Sequence, residues 1–147
     1  MTTADKMPGC VLCRVRDGED EGERLLVHMA RLNFIVVNLY PYNSGHVMIA
    51  TRRHVGTLGS ATPEELSEMM SLARRLEEAM RSAYKPDALN LGMNLGRTAG
   101  AGVPDHIHLH VVPRWNGDTS FMTVVSDTRV IPEEPGDAAA RLRPFFE

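Results

Sequence analysis

The sequence predicts an α+β domain, and three observations carry that reading. Five short stretches between Arg24 and Val112 have the alternating or apolar character of strands. One long segment from Thr62 to Pro86 has helical spacing and a complete start signal. Clusters of Gly, Pro, Asn and Ser punctuate the segments. Hydrophobic content of 43%, charged content of 24% and a net charge of -3 describe an ordinary soluble globular protein, not a disordered or membrane one. The 147 residues suit about one domain, with a core over roughly residues 10–115 and an extension over 116–147. With a pI near 6.1, broad electrostatic binding to nucleic acid is not supported, so any phosphate recognition must be local. No apolar run reaches the length of a membrane span, and Met1-Thr2-Thr3-Ala4-Asp5-Lys6 lacks the hydrophobic segment of a signal peptide. The chain is therefore read as cytoplasmic, with no membrane partner.

Both cysteines fall in Cys10-Val11-Leu12-Cys13, which in a cytosolic protein indicates metal binding or redox chemistry more than a structural disulfide. The acidic, glycine-containing run Asp17 to Glu23 is read as a solvated loop. Arg24 to His28 and Asn33 to Asn38 are expected strands, with Ala30-Arg31-Leu32-Asn33 as their hairpin connection. The turn cluster Leu39 to Gly45 leads into a third strand, His46 to Ala50, and Thr51 to His54 runs on into a loop. At the helix start Thr62 caps, Pro63 takes the first position and Glu65 completes a capping box. Leu66, Met69, Ala73, Leu76, Met80 and Ala83 mark its apolar face, and Pro86 closes it. Methionines at this spacing are core filling rather than a ligand site.

A fourth strand over Ala88 to Leu95 meets the glycine-rich loop Gly96 to Pro104. Glycines there let backbone N–H groups approach an anion, although the loop is neither a P-loop nor a dinucleotide fingerprint. His106 to Val112 is the fifth strand. Beyond Trp115 the sequence suggests a turn at Asn116 to Asp118, short strands over 121–125 and 128–131, and a short terminal helix within 136–147.

Three of the six histidines lie in the fifth strand, alternating with Ile107, Leu109 and Val111. Period two points His106, His108 and His110 to one face. A row of imidazoles adds little as packing, because each ring carries a donor and an acceptor that need partners once buried. The row is therefore a functional surface, and a metal face and a phosphate face are both open on these grounds.

His106-x-His108-x-His110 followed by Val111-Val112 resembles the signature of the histidine-triad family, His-φ-His-φ-His-φ-φ with φ hydrophobic. Asn38, Pro41, Gly45-His46, the helix and the glycine-rich loop follow in the family's order, so the resemblance covers roughly Cys10 to Trp115. It implies a five-stranded antiparallel sheet with one long helix, assembled as a homodimer with further assembly left open. It also implies nucleotidyl transfer or hydrolysis at an α-phosphate. His108 would be the nucleophile, with His110 and His46 beside it donating to the phosphate oxygens, helped by the loop at Gly100, Ala101 and Gly102. Asn38 would hold the ribose. Asn94 and Thr98 would touch the phosphate chain or leaving group, in a region where the fragile branch of the family carries a glutamine that this chain lacks. Phe34, Ile35 and Val36 either enclose the base or are ordinary core.

Some branches, and the related galactose-1-phosphate uridylyltransferases, hold zinc through positions that here read Cys10, Cys13, His54 and His106. That set is a closed Cys₂His₂ site, so the zinc would be structural. The stretch from Val111 to Asp118, continuing into Phe121-Met122-Thr123, resembles the bacterial diadenosine tetraphosphate phosphorylase branch. Arg114 would then meet a distal phosphate or incoming inorganic phosphate, or else serve as a surface salt-bridge partner. The alternatives are a hydrolase of dinucleoside polyphosphates or nucleoside phosphoramidates, and a non-catalytic nucleotide-binding sensor.

Overall fold

Residues 9–38, 45–101, 105–118 and 133–147 are described by a computed structural model. Five strands, β1 (Leu26–Met29), β2 (Asn33–Val37), β3 (Val47–Thr51), β4 (Ala88–Gly92) and β5 (His108–Arg114), form one antiparallel sheet in the order β1-β2-β3-β5-β4. The helices are α1 (Val11–Arg16), α2 (Gly22–Leu25), α3 (Pro63–Ala83) and α4 (Pro135–Leu142).

β2 is buried along its whole length because both faces of the sheet are covered. Ile35 and Val37 join Ile49, Leu109 and Val111 under the Met69, Leu72 and Leu76 face of α3, and Ala138, Ala139 and Leu142 of α4 enter the same core. Phe34, Val36 and Ala50 face the other way, against Cys10, Leu12, Cys13 and Val15 of the N-terminal segment. Phe34, Ile35 and Val36 are thus ordinary core. The capping box at α3 is complete: Glu65 N donates to Thr62 Oγ1 at 3.0 Å and Thr62 N donates to the Glu65 carboxylate at 2.8 Å. Arg53 donates twice to that carboxylate, at 2.7 and 3.0 Å, and these bonds hold the buried Glu65 below the usual carboxylate range.

Three expectations are corrected, and one helix is added to them. The cysteine pair opens a six-residue helix, α1. Arg24 belongs to α2, and β1 begins only at Leu26. The acidic run folds back tightly onto α1, so that a Cβ at Gly22 would lie 2.2 Å from the Val15 carbonyl oxygen, and the resulting turn takes up Arg24. β4 stops at Gly92, and Arg97–Ala99 form a 3₁₀ turn within the glycine-rich loop. β5 starts at His108 rather than His106, because pairing with β3 ends at Ala50↔His108 and Ile107 N turns aside to the Val55 carbonyl at 2.8 Å. The turn 39–44, Gly102 and the strands expected over 121–125 and 128–131 lie outside the described residues. The terminal helix is present as α4, followed by a 3₁₀ turn at Arg143–Phe146. Among the described residues no helix is long and apolar enough to cross a membrane.

Candidate active site and metal centre

The candidate reaction centre is built where β3 meets β5. Met48 pairs with His110 and Ala50 with His108, so His46, just before β3, shares the face of the two β5 histidines. Gly45 permits this placement. Its φ is +80°, and a Cβ there would come within 3.1 Å of Pro113 and Tyr84. His46 and His108 are buried and His110 half-buried.

Hydrogen bonds assign the tautomers. His108 Nδ1 lies 2.9 Å from the His106 carbonyl oxygen, which only accepts, so Nδ1 carries the hydrogen and Nε2 presents its lone pair. His46 Nε2 and His110 Nδ1 are 2.9 Å apart, so only one of these facing nitrogens carries a hydrogen. Burial pushes the His46 imidazole down to about 4, and a positive charge on His110 or His108 would push it in the same direction. Burial likewise lowers His110. The His46–His110 pair is therefore neutral near pH 7. The Asn38 side-chain amide sits 3.4 Å from His46 Nε2, and its backbone N–H closes the hairpin onto the His46 carbonyl at 3.0 Å.

Two residues before β5, at His106, the second site begins. Cys10 caps α1 and Cys13 lies one turn on, so both sulfurs reach the same side. Cys10 Sγ is 3.3 Å and Cys13 Sγ 3.6 Å from His106 Nδ1, and Cys13 Sγ is 3.4 Å from His54 Nδ1. All four ligand atoms lie within 4.8 Å of one another. A tetrahedral zinc at about 2.3 Å from sulfur and 2.0 Å from nitrogen would separate the two ligand types by about 3.5 Å, so the residues fit the ion. His106 Nε2 donates to the Thr51 carbonyl at 2.7 Å, which leaves Nδ1 as the ligating nitrogen. Burial lowers His106 to about 4 and raises the Cys10 thiol to about 11. The imidazole is thus ready to ligate, whereas the thiol must release its proton to solvent before its sulfur can bind a metal.

The structure therefore brings His46, His108, His110 and Asn38 together, and Cys10, Cys13, His54 and His106 beside them. The other expected residues are placed differently. Arg114 donates to the Asp118 carboxylate at 3.0 Å and to Asn90 Oδ1 at 2.7 Å, about 13 Å along the strand from His110. Its salt-bridge role is the one observed. Gly100 N donates to Arg97 O at 2.9 Å and Ala101 N to Gly96 O at 3.2 Å, so contact of either amide with an anion would replace a bond already made. Asn94, Thr98 and Gly100 are exposed. Two functional groups went unseen in the sequence, the carbonyls of Thr51 and His106. Main-chain acceptors leave no mark in a sequence.

Residues 20–117 match the family model of the HIT domain. AP-4-A phosphorylase of Mycobacterium tuberculosis (strain ATCC 25618 / H37Rv) is 40% identical over 111 residues, covering 76% of this chain and 57% of that protein. The asymmetrical bis(5'-nucleosyl)-tetraphosphatase of Schizosaccharomyces pombe is 33% identical over 93 residues, 63% of this chain and 50% of its own length. The chain thus spans about half the length of these curated relatives. A Zn-bound histidine triad family protein from Mycobacterium smegmatis superposes with a TM-score of 0.73 at 27% identity, over 93% of this chain and 92% of that one. With its triad, its sheet and two-thirds of its length matched, the chain belongs to the HIT domain family.

Proposed function

We propose that this protein cleaves dinucleoside polyphosphates, with diadenosine tetraphosphate as substrate and inorganic phosphate as acceptor, through a nucleotidyl group carried on His108. The observation that carries this reading is the His108 tautomer, whose free Nε2 lone pair lies beside a neutral His46–His110 pair. His108 Nε2 attacks the α-phosphorus, forming a P–N bond. The P–O bond to the polyphosphate breaks, and its electron pair leaves with the departing ATP. When His46 Nε2–H donates to His110 Nδ1, neutral His110 carries its hydrogen on Nε2 and offers it to the charge on the phosphoryl oxygens. An oxygen of inorganic phosphate then attacks phosphorus and returns the electron pair to His108, releasing ADP. Water as acceptor gives AMP. The AP-4-A phosphorylase and tetraphosphatase relatives support this substrate class.

Zinc in the Cys₂His₂ set would supply a fixed cross-link rather than chemistry on substrate, because four protein ligands leave it no open position. The test is to separate the products formed from diadenosine tetraphosphate with and without phosphate. ATP plus ADP is expected with phosphate, and ATP plus AMP without it. His108→Asn should lower turnover by at least ~10²–10⁴. A wild type inert towards this substrate overturns the reading.

The homodimer is proposed at the β4 edge, which pairs only with β5 among the described residues and exposes Leu91. An open groove of about 540 Å³ runs beside it, lined by Met70, Arg74, Leu89 and Leu91. Leu91→Glu should convert a dimer to a monomer in sedimentation equilibrium, and an unchanged mass would remove this edge from the interface.

A further inference from the structure

The metal cluster has a charged neighbour that the reaction does not use. Arg16 ends α1, and its side chain is 1% exposed. The guanidinium donates to the Arg52 carbonyl oxygen, and through Nε and the second amino group to the Asp17 carboxylate at 2.9 and 3.2 Å. Arg52 stands between Thr51, whose carbonyl holds His106 Nε2, and His54 two residues on. Cys13, three residues before Arg16, lies on the same side of α1. One guanidinium therefore ties the helix that carries both cysteines to the segment that carries one histidine ligand and anchors the other.

A buried guanidinium has a large desolvation cost, and a methionine of similar volume would fill the space without it. The Asp17 carboxylate offsets part of that cost, and the bond to the Arg52 carbonyl fixes what the guanidinium holds in place. Capture of a divalent ion by two thiols and two imidazoles releases two protons, so the loaded site gains no net charge and what it asks of the surrounding chain is placement.

We propose that Arg16 is a positioning residue of the metal site: it docks α1 so that Cys10 and Cys13 face His54 and His106 in the arrangement that a thiophilic divalent cation such as zinc takes. This rests on the metal reading of the four-residue cluster and is independent of the nucleotide chemistry.

The experiment compares wild type, Arg16→Lys and Arg16→Met. Zinc affinity is measured by competition with a chromophoric chelator, the zinc-free fold by far-UV circular dichroism, and the ligand set by the thiolate-to-metal charge-transfer band of the cobalt(II)-loaded proteins. Arg16→Met should bind zinc about 10–100-fold more weakly, with a perturbed cobalt band and an unchanged zinc-free fold. Arg16→Lys, which keeps one donor for the Arg52 carbonyl and loses the planar fork, should lose less. A folded Arg16→Met that binds zinc within twofold of wild type overturns the proposal. So does loss of zinc-free structure in both variants where wild type keeps it, because Arg16 would then be a folding clasp. A wild type that takes up no zinc strikes the metal centre itself, an outcome distinct from either.

Discussion

His46, His106 and His108 are set apart by what one ring nitrogen of each faces. His106 and His108 both hydrogen-bond a backbone carbonyl, but through opposite nitrogens, so one ring directs Nδ1 at the cysteines and the other frees Nε2. His46 faces another imidazole, and burial holds it at about 4 against an ordinary 6.5. Between those two values the unfolded chain binds a proton that the folded chain refuses. Stability therefore rises with pH through that window and is lost as pH falls from 6.5 towards 4. One such proton corresponds to on the order of 1 kcal/mol per pH unit. Urea titrations at pH 7, 6 and 5 should show a steeper acid loss in wild type than in His46→Asn, and equal slopes would refute the assignment. At this scale the side chains were legible in the sequence, because alternation and a CxxC spacing are patterns of residue type. The carbonyls that set the tautomers were not, and neither was Arg16, whose role depends on burial beside Arg52 and on no spacing.

Among the elements, the entry to β3 is constrained by both conformation and space. Gly45 combines a left-handed φ with close approach to Pro113 and Tyr84, and the next residue is His46. Gly45→Ala should cost about 1–3 kcal/mol and lower turnover together, because the strained backbone is the one that aims His46. Gly59 has open space around its Cβ position, so Gly59→Ala is the control and should leave melting temperature and turnover near wild type. An active, fully stable Gly45→Ala protein would show that this entry tolerates displacement. α3 could be read from sequence because its cap, proline and apolar stripe agree over 21 residues. α1 and α2 could not, since six and four residues are too few to show a helical period. The start of β5 was misplaced for another reason. Apolar alternation continues through Ile107, but ladder pairing does not, and only the second defines the strand.

For the whole molecule, the candidate metal cluster joins the N-terminal cover to the sheet, so occupancy by an ion should register in global stability. Zinc at a hundredfold excess over its dissociation constant adds about 2.7 kcal/mol. Chelation should then lower the melting temperature by roughly 5–10 °C in a chain of this length. Equal melting curves with and without chelator would mean that the cluster holds no ion under those conditions. The sheet order has a further consequence, for how the chain folds. β1, β2 and β3 pair by short connections, and so do β4 and β5, but β3 finds β5 only after a loop of roughly sixty residues has closed. Cys10, Cys13, His54 and His46 lie on one side of that seam, and His106, His108 and His110 on the other. Neither site can exist in a half-folded chain. Zinc capture during refolding should therefore appear only with the slowest phase that joins the two halves, which makes the ion a reporter of completed folding.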